Sequence, residues 1–146
     1  MLHFTDRAAL WTVTGSTSYL ILIGLAIEIS FMFAIGGVIY VRTLPAAPRA
    51  KLLGMPNRLA IGLGYSLFAT GVEVLLRATG YFHWEYWFWN VPFVVPIVIV
   101  GYLWFFLIAA YVYDMRDIRR QARFVGAMAA VVAAALIVFG PILEWI

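Results

Sequence analysis

The chain has 146 residues, 65% of them hydrophobic and only 12% charged, with a mean hydropathy of +0.97. A soluble domain of this length needs far more charged surface, so the composition excludes an ordinary water-soluble globule and implies a lipid environment. The net charge of +3 gathers mainly in two short connections, a membrane-orientation pattern that argues against nucleic acid, and the absence of cysteine excludes disulfides, thiol nucleophiles and zinc–thiolate centres.

The opening MLHFTDRAALWTVTGSTS is polar and aromatic. It lacks a basic segment leading into a short apolar core, so no removable signal peptide is expected, and neither end carries a lipidation motif. Four apolar stretches follow, each long enough to cross about 30 Å of hydrocarbon as a helix of roughly 20 residues. They run near Thr17–Val41, Leu59–Ala78, Val91–Tyr113 and Phe124–Leu143. Continuous apolar runs of this kind cannot be barrel strands, whose side chains alternate between lumen and lipid. The predicted fold class is therefore all-α: an integral membrane four-helix antiparallel bundle, a single transmembrane domain over residues 1–146.

The breaks between the spans carry their own punctuation. RTLPAAPRAKLLGMPNR holds Pro45, Pro48 and Pro56, and Asn57 suits the N-cap of the second helix. Asn90 suits the cap of the third, with Pro92 in its first turn. DMRDIRRQAR reads as a charged turn before the fourth. Arg42, Arg49, Lys51 and Arg58 lie in the first connection, and Arg116, Arg119, Arg120 and Arg123 in the third. Four spans put both connections on one side. The positive-inside rule makes that side the cytoplasm, with both termini and the aromatic loop outside a cytoplasmic membrane. Helix association in lipid rests on close backbone approach and polar contacts, for which GAMAAVVAAA and the glycines at 24, 36, 37, 62 and 64 supply small residues.

Within the spans, ionisable residues stand out. Glu28 falls about 17 Å into the first predicted helix, near the midplane, where a charge costs about 2.5–3.5 kcal/mol on insertion scales. On the second helix Ser66, Thr70, Glu73 and Arg77 share one face at i, i+4, i+7 and i+11, a polar stripe that should turn toward protein. Two readings are open. In one, Glu73 pairs with Arg77 and Glu28 bonds a tyrosine or backbone group, so the acids lock helices together. In the other, Glu28 and Glu73 line an apolar cavity as acid and base.

His3 and His83 lie outside the spans, which disfavours a haem held between helices, and His83, Glu85 and Glu73 lack any metal-ligand spacing. No cofactor and no metal are predicted. Tyr81, Phe82, Trp84, Tyr86, Trp87, Phe88 and Trp89 crowd the loop after the second helix, and Tyr102 and Trp104 continue the aromatic supply into the third. Interfacial anchoring is the bland reading of such rings. Their density also suits a wall for a long hydrophobic ligand. Phosphate-cradling glycine loops, serine–histidine–acid sets and RNA-binding aromatic motifs are absent, and Lys51 sits in a connection, away from any retinal-type attachment.

The stretch EVLLRATG from Glu73 to Gly80, then Phe82, Tyr86 and Val91-Pro92, resembles the carotenoid-biosynthesis membrane proteins that include the carotenoid hydratases. The likeness covers about 25 residues. It departs from that family at Tyr81-Phe82-His83-Trp84, where the family pattern has Pro-Phe-Gly, and in its smaller number of spans. The resemblance implies acid-catalysed chemistry on, or binding of, an isoprenoid, with Glu73 functional and Tyr86 beside it.

The expected function is thus a polytopic membrane protein holding an isoprenoid or lipid ligand. Glu73 and Glu28 form its acid–base pair, and Arg77, Thr70, Ser66, Trp84, Tyr86, Trp87 and Tyr102 line the ligand site. Its expected partners are membrane lipids and that hydrophobic small molecule. The alternative is a non-catalytic accessory or assembly subunit among other membrane proteins, and a transporter ranks behind both for want of broken-helix pairs.

Overall fold

An apolar run in lipid must satisfy its own backbone hydrogen bonds, and most of this chain does so as helix. The computed structural model describes residues 11–13, 21–22, 25–84 and 86–138, with side chains from residue 30 onward save residue 82. Helix α1 runs Ile27–Thr43, α2 Asn57–Ala78, α3 Trp104–Tyr113 and α4 Ile118–Ile137. A π-helix, Ile97–Leu103, leads directly into α3. Helices α2 and α4, of 22 and 20 residues, are long and apolar enough to cross a membrane, while Ser30–Thr43 and Ile97–Tyr113 are shorter apolar helices.

Among the described residues six short strands pair antiparallel in twos. They are β1 Trp11–Val13, β2 Ile21–Leu22, β3 Leu25–Ala26, β4 Lys51–Leu52, β5 Met55–Pro56 and β6 Phe82–Trp84. β1 pairs with β6 in the register Trp11↔Trp84, Thr12↔His83 and Val13↔Phe82, which ties the segment before α1 to the loop after α2. β4 and β5 form a hairpin whose two turn residues, Leu53 (φ 54°) and Gly54 (φ 80°), both lie in the left-handed region. That is the demand of a tight primed turn, which Gly54 meets without a Cβ.

The helix boundaries depart from the sequence expectation in four places, one of them α4, which starts at Ile118 inside the DMRDIRRQAR segment expected to be a turn. The pairing of β2 with β3 precedes α1, so the helix begins at Ile27 rather than Thr17. Asn57 does not cap α2: Pro56 holds the cap position, and Asn57, 1% exposed, turns its side chain to the preceding loop. There its Nδ2 donates to the Ala47 carbonyl at 2.7 Å and its Oδ1 accepts from Arg58 Nη1 at 3.1 Å. Asn90 accepts from the Val91 N–H at 2.8 Å and lies well before the π-helix, whose cap position is Pro96. In both cases a loop offered the asparagine a nearer partner than the helix end. Asp117 does cap α4, accepting from the Arg119 N–H at 2.9 Å.

The core forms where α1, α2 and the π-helix–α3 rod meet. Tyr40, Leu44, Phe106 and Ala110 make one buried cluster, and Trp84 with Ile97 a second nearer the aromatic loop; Tyr102 packs against both. Helix α2 packs closely on the rod at Gly62, where a Cβ would make ordinary contacts with Leu103 Cδ1 at 3.4 Å and Phe106 Cβ at 3.6 Å. Helix α4 adds no buried residue. Gln121 fastens it to the end of α3, donating from Nε2 to the Val112 and Met115 carbonyls at 3.0 Å each. Beyond that elbow an apolar groove of about 640 Å³ separates α4 from α1 and α3, walled by Phe33, Gly37, Phe105, Ala109, Val125 and Met128.

Candidate functional site

Helix α2 presents its polar stripe to protein for most of its length. Ser66 is fully buried and its hydroxyl donates to the Gly62 carbonyl at 2.8 Å, a local bond within the helix. Thr70, one turn on, is 4% exposed. Glu73 is half-buried and Arg77 exposed, so the stripe runs from core to surface.

The partner of Glu73 comes from the π-helix. Tyr102 donates its phenol O–H to Glu73 Oε1 in a short contact. The Trp84 indole also interacts with the same carboxyl. Thr70 Oγ1, one turn away, is buried and has no hydrogen-bond partner among the described residues. A buried polar atom left so costs about 1–3 kcal/mol, so Thr70 Oγ1 can reward an added polar group.

Why Tyr102 reaches this carboxyl is a matter of helix register. A π turn holds an extra residue and rotates the side chains that follow relative to an α-helix, and such turns recur at functional sites. Gly101 allows the Trp89 ring to lie over the rod: a Cβ there would meet Trp89 Cζ2 at 3.1 Å and Cη2 at 3.2 Å. On the opposite side Phe33 of α1 stacks on Tyr102 at 5.9 Å between centroids and 23° between planes. Phe33 also lines the groove beside α4. One aromatic ring therefore separates the groove from the Tyr102–Glu73 pair.

Thr70, Glu73, Trp84 and Tyr102 thus come together, and Ser66 lies one turn below them on α2. Arg77 does not pair with Glu73. Its guanidinium sits 5.8 Å from the Trp84 ring centroid in a cation–π arrangement, and among the described residues the single ion pair is Arg58–Asp114. A carboxyl held by Tyr102 on the protein side leaves an exposed arginine to its nearest ring. Tyr86 and Trp87 belong to a separate aromatic group: Tyr86 packs on Phe88 at 5.3 Å, and Trp87, largely exposed, on Phe88 and Phe93 at 5.9 and 5.7 Å.

Glu28 is the second residue of α1, not a mid-helix residue, and its side chain lies outside the described residues, as does Glu85. His83 is exposed on β6, and among the described residues no group of three histidine, aspartate or glutamate side chains could hold a metal. In the sequence Phe33 went unmarked, and Trp89 stood only as one ring of the loop cluster. A glycine in the middle of an apolar run, Gly101, was the only hint that a ring packs there.

A protein of Archaeoglobus fulgidus, described as an uncharacterized protein, is 46% identical over 144 residues, which cover 99% of this chain and 68% of that protein. A second protein of the same organism and description is 49% identical over 55 residues, 38% of this chain and 98% of its own length. No solved structure matches the chain. The profile of an uncharacterized membrane protein family matches residues 1–141, and the chain belongs to that family.

Proposed function

We propose that this membrane protein crosses a cytoplasmic membrane four times as an antiparallel bundle and binds a hydrophobic ligand of the isoprenoid or lipid class. The family description goes as far as the membrane; the rest of this reading leans on the chain's own residues. The observation that carries it is the buried Glu73 carboxyl, bonded by Tyr102, whose ring stacks on a wall of the apolar groove. The groove suits acyl or polyene carbon, and Glu73 and Thr70, beyond the Phe33 and Tyr102 rings, suit the polar group of such a ligand. The isoprenoid class comes from the resemblance of residues 73–92 to the carotenoid hydratases. If the protein is an enzyme, Glu73 and Glu28 would be its acid–base pair, one donating a proton as the other accepts one.

The test is mass spectrometry of an organic extract from gently purified protein. Wild-type protein should retain close to one ligand molecule per chain, and E73Q, which keeps the side-chain shape, should lose most of it while the fold persists. Wild-type ligand content in both E73Q and E28Q would end this reading.

A second reading, an accessory subunit of a larger membrane complex, draws on α4. Its apolar side chains, among them Val125, Val131, Val132 and Ile137, are exposed along the helix. Co-purification with larger membrane proteins in a fixed ratio, with no retained ligand, favours that reading over the first.

A further inference from the structure

Helices α3 and α4 meet at an elbow braced by Gln121 and the Asp117 cap. A pocket of about 500 Å³ opens on it, lined by Tyr111, Met115, Asp117, Arg120, Arg123 and Phe124. Arg120 and Arg123 stand three apart on α4, so both guanidinium groups reach the same face. Of the two acids at the elbow, Asp114 is committed elsewhere, while Asp117 lines the pocket itself and uses one carboxylate oxygen to cap α4. Asp114 is bonded by Arg58 at 2.7 and 3.0 Å, and Asp117 accepts from the Arg119 N–H. Arg58–Asp114 is the single ion pair among the described residues, so neither Arg120 nor Arg123 is in a contact ion pair, and with Asp117 the pocket lining carries two positive charges against one negative.

The other wall is apolar. Tyr111 and Phe124 meet edge to face at 5.3 Å, and α4 continues from them with exposed Val125 and Met128. A forked cation beside an aromatic wall, at the end of two apolar helices, matches a phosphate carried on a hydrocarbon stem.

We propose that the α3–α4 elbow binds the phosphate of an anionic membrane phospholipid. Arg120 and Arg123 hold the phosphoryl oxygens, while Tyr111 and Phe124 flank the first carbons of the lipid. The site is separate from Glu73 and does not depend on any ligand there. Inorganic phosphate offers the same oxygens without the stem, which lets an experiment tell a lipid site from a soluble-anion site.

The full chain in phosphatidylcholine nanodiscs is titrated with phosphatidylglycerol, and bound lipid is counted by native mass spectrometry. Wild-type protein should prefer phosphatidylglycerol. R120Q and R123Q should each weaken that binding by about fivefold, the worth of one arginine at a membrane surface, and the double variant should weaken it further. R42Q/R49Q removes the same charge from the other basic connection and should bind as wild type. Both arginines at the elbow are exposed, and matched thermal unfolding checks that the variants stay folded. Unchanged binding in R120Q/R123Q overturns the proposal. So does an equal loss in R42Q/R49Q, or displacement of the lipid by excess inorganic phosphate.

Discussion

A carboxyl inside an apolar bundle needs a hydrogen-bond donor close by, and Glu73 finds one in Tyr102 across the helix interface. The bond joins α2 to the π-helix at the point where the two core clusters meet. Removing the donor leaves a buried acceptor, so Tyr102→Phe should cost about 1–3 kcal/mol of stability, read as a lower unfolding temperature in detergent. Tyr65→Phe is the control. Its hydroxyl donates to Thr43 Oγ1 at 3.3 Å in an exposed setting, and its loss should cost well under half as much. An equal effect of the two would show that the Tyr102 contact contributes little. At this scale helical spacing foretold that Ser66, Thr70 and Glu73 face protein. It could not name Tyr102 as the partner, because 29 residues separate the pair in sequence. Nor did it foretell that Arg77 would turn to Trp84.

Among the elements, the π-helix shapes the site most. An apolar run such as IVIVGYL is helical on any reading, yet whether it winds as α or π depends on what its neighbours accept. Trp89 lying on Gly101 and Phe33 lying on Tyr102 are those neighbours. Gly101→Val should therefore push Trp89 off the rod and destabilise the protein by about 1–3 kcal/mol, with a shift in tryptophan fluorescence. Gly64→Ala tests the contrast: a Cβ at Gly64 meets nothing within 4 Å, so stability should hold or rise slightly. If Gly101→Val and Gly64→Ala behave alike, the close approach of Trp89 has no energetic weight. The short strands escaped the sequence reading for a related reason. β1 and β6 hold only three residues each, too few for a period-2 pattern to register, and they pair across about half of the chain.

At the scale of the whole molecule, the first and third connections are joined by a clasp. Arg58 donates from Nε and Nη2 to the two Asp114 oxygens, and from Nη1 to the Pro45 carbonyl, while Tyr40 donates its O–H to the Arg58 carbonyl at 3.1 Å. The Arg58 side chain is 11% exposed and that of Asp114 28%, so this pair is worth more than a solvated one. Asp114→Asn keeps the shape and removes the charge. It should lower stability by about 1–3 kcal/mol and loosen the α3–α4 elbow, seen as faster amide exchange in residues 114–121. No change in exchange there would mean that the elbow is held by Gln121 and Asp117 alone.

Composition and run length by themselves determined that this chain belongs in a membrane, that it is mostly helical and that α2 carries a buried polar face, because desolvation and backbone satisfaction act on each segment separately. The start of α1, the π register, the Tyr102–Glu73 bond and the standing of α4 beside an open groove were decided only in the tertiary structure. Each of those depends on which surfaces of distant segments meet. In lipid that choice comes from close packing and a few polar contacts rather than from apolar area, and a linear pattern of greasy residues does not encode it.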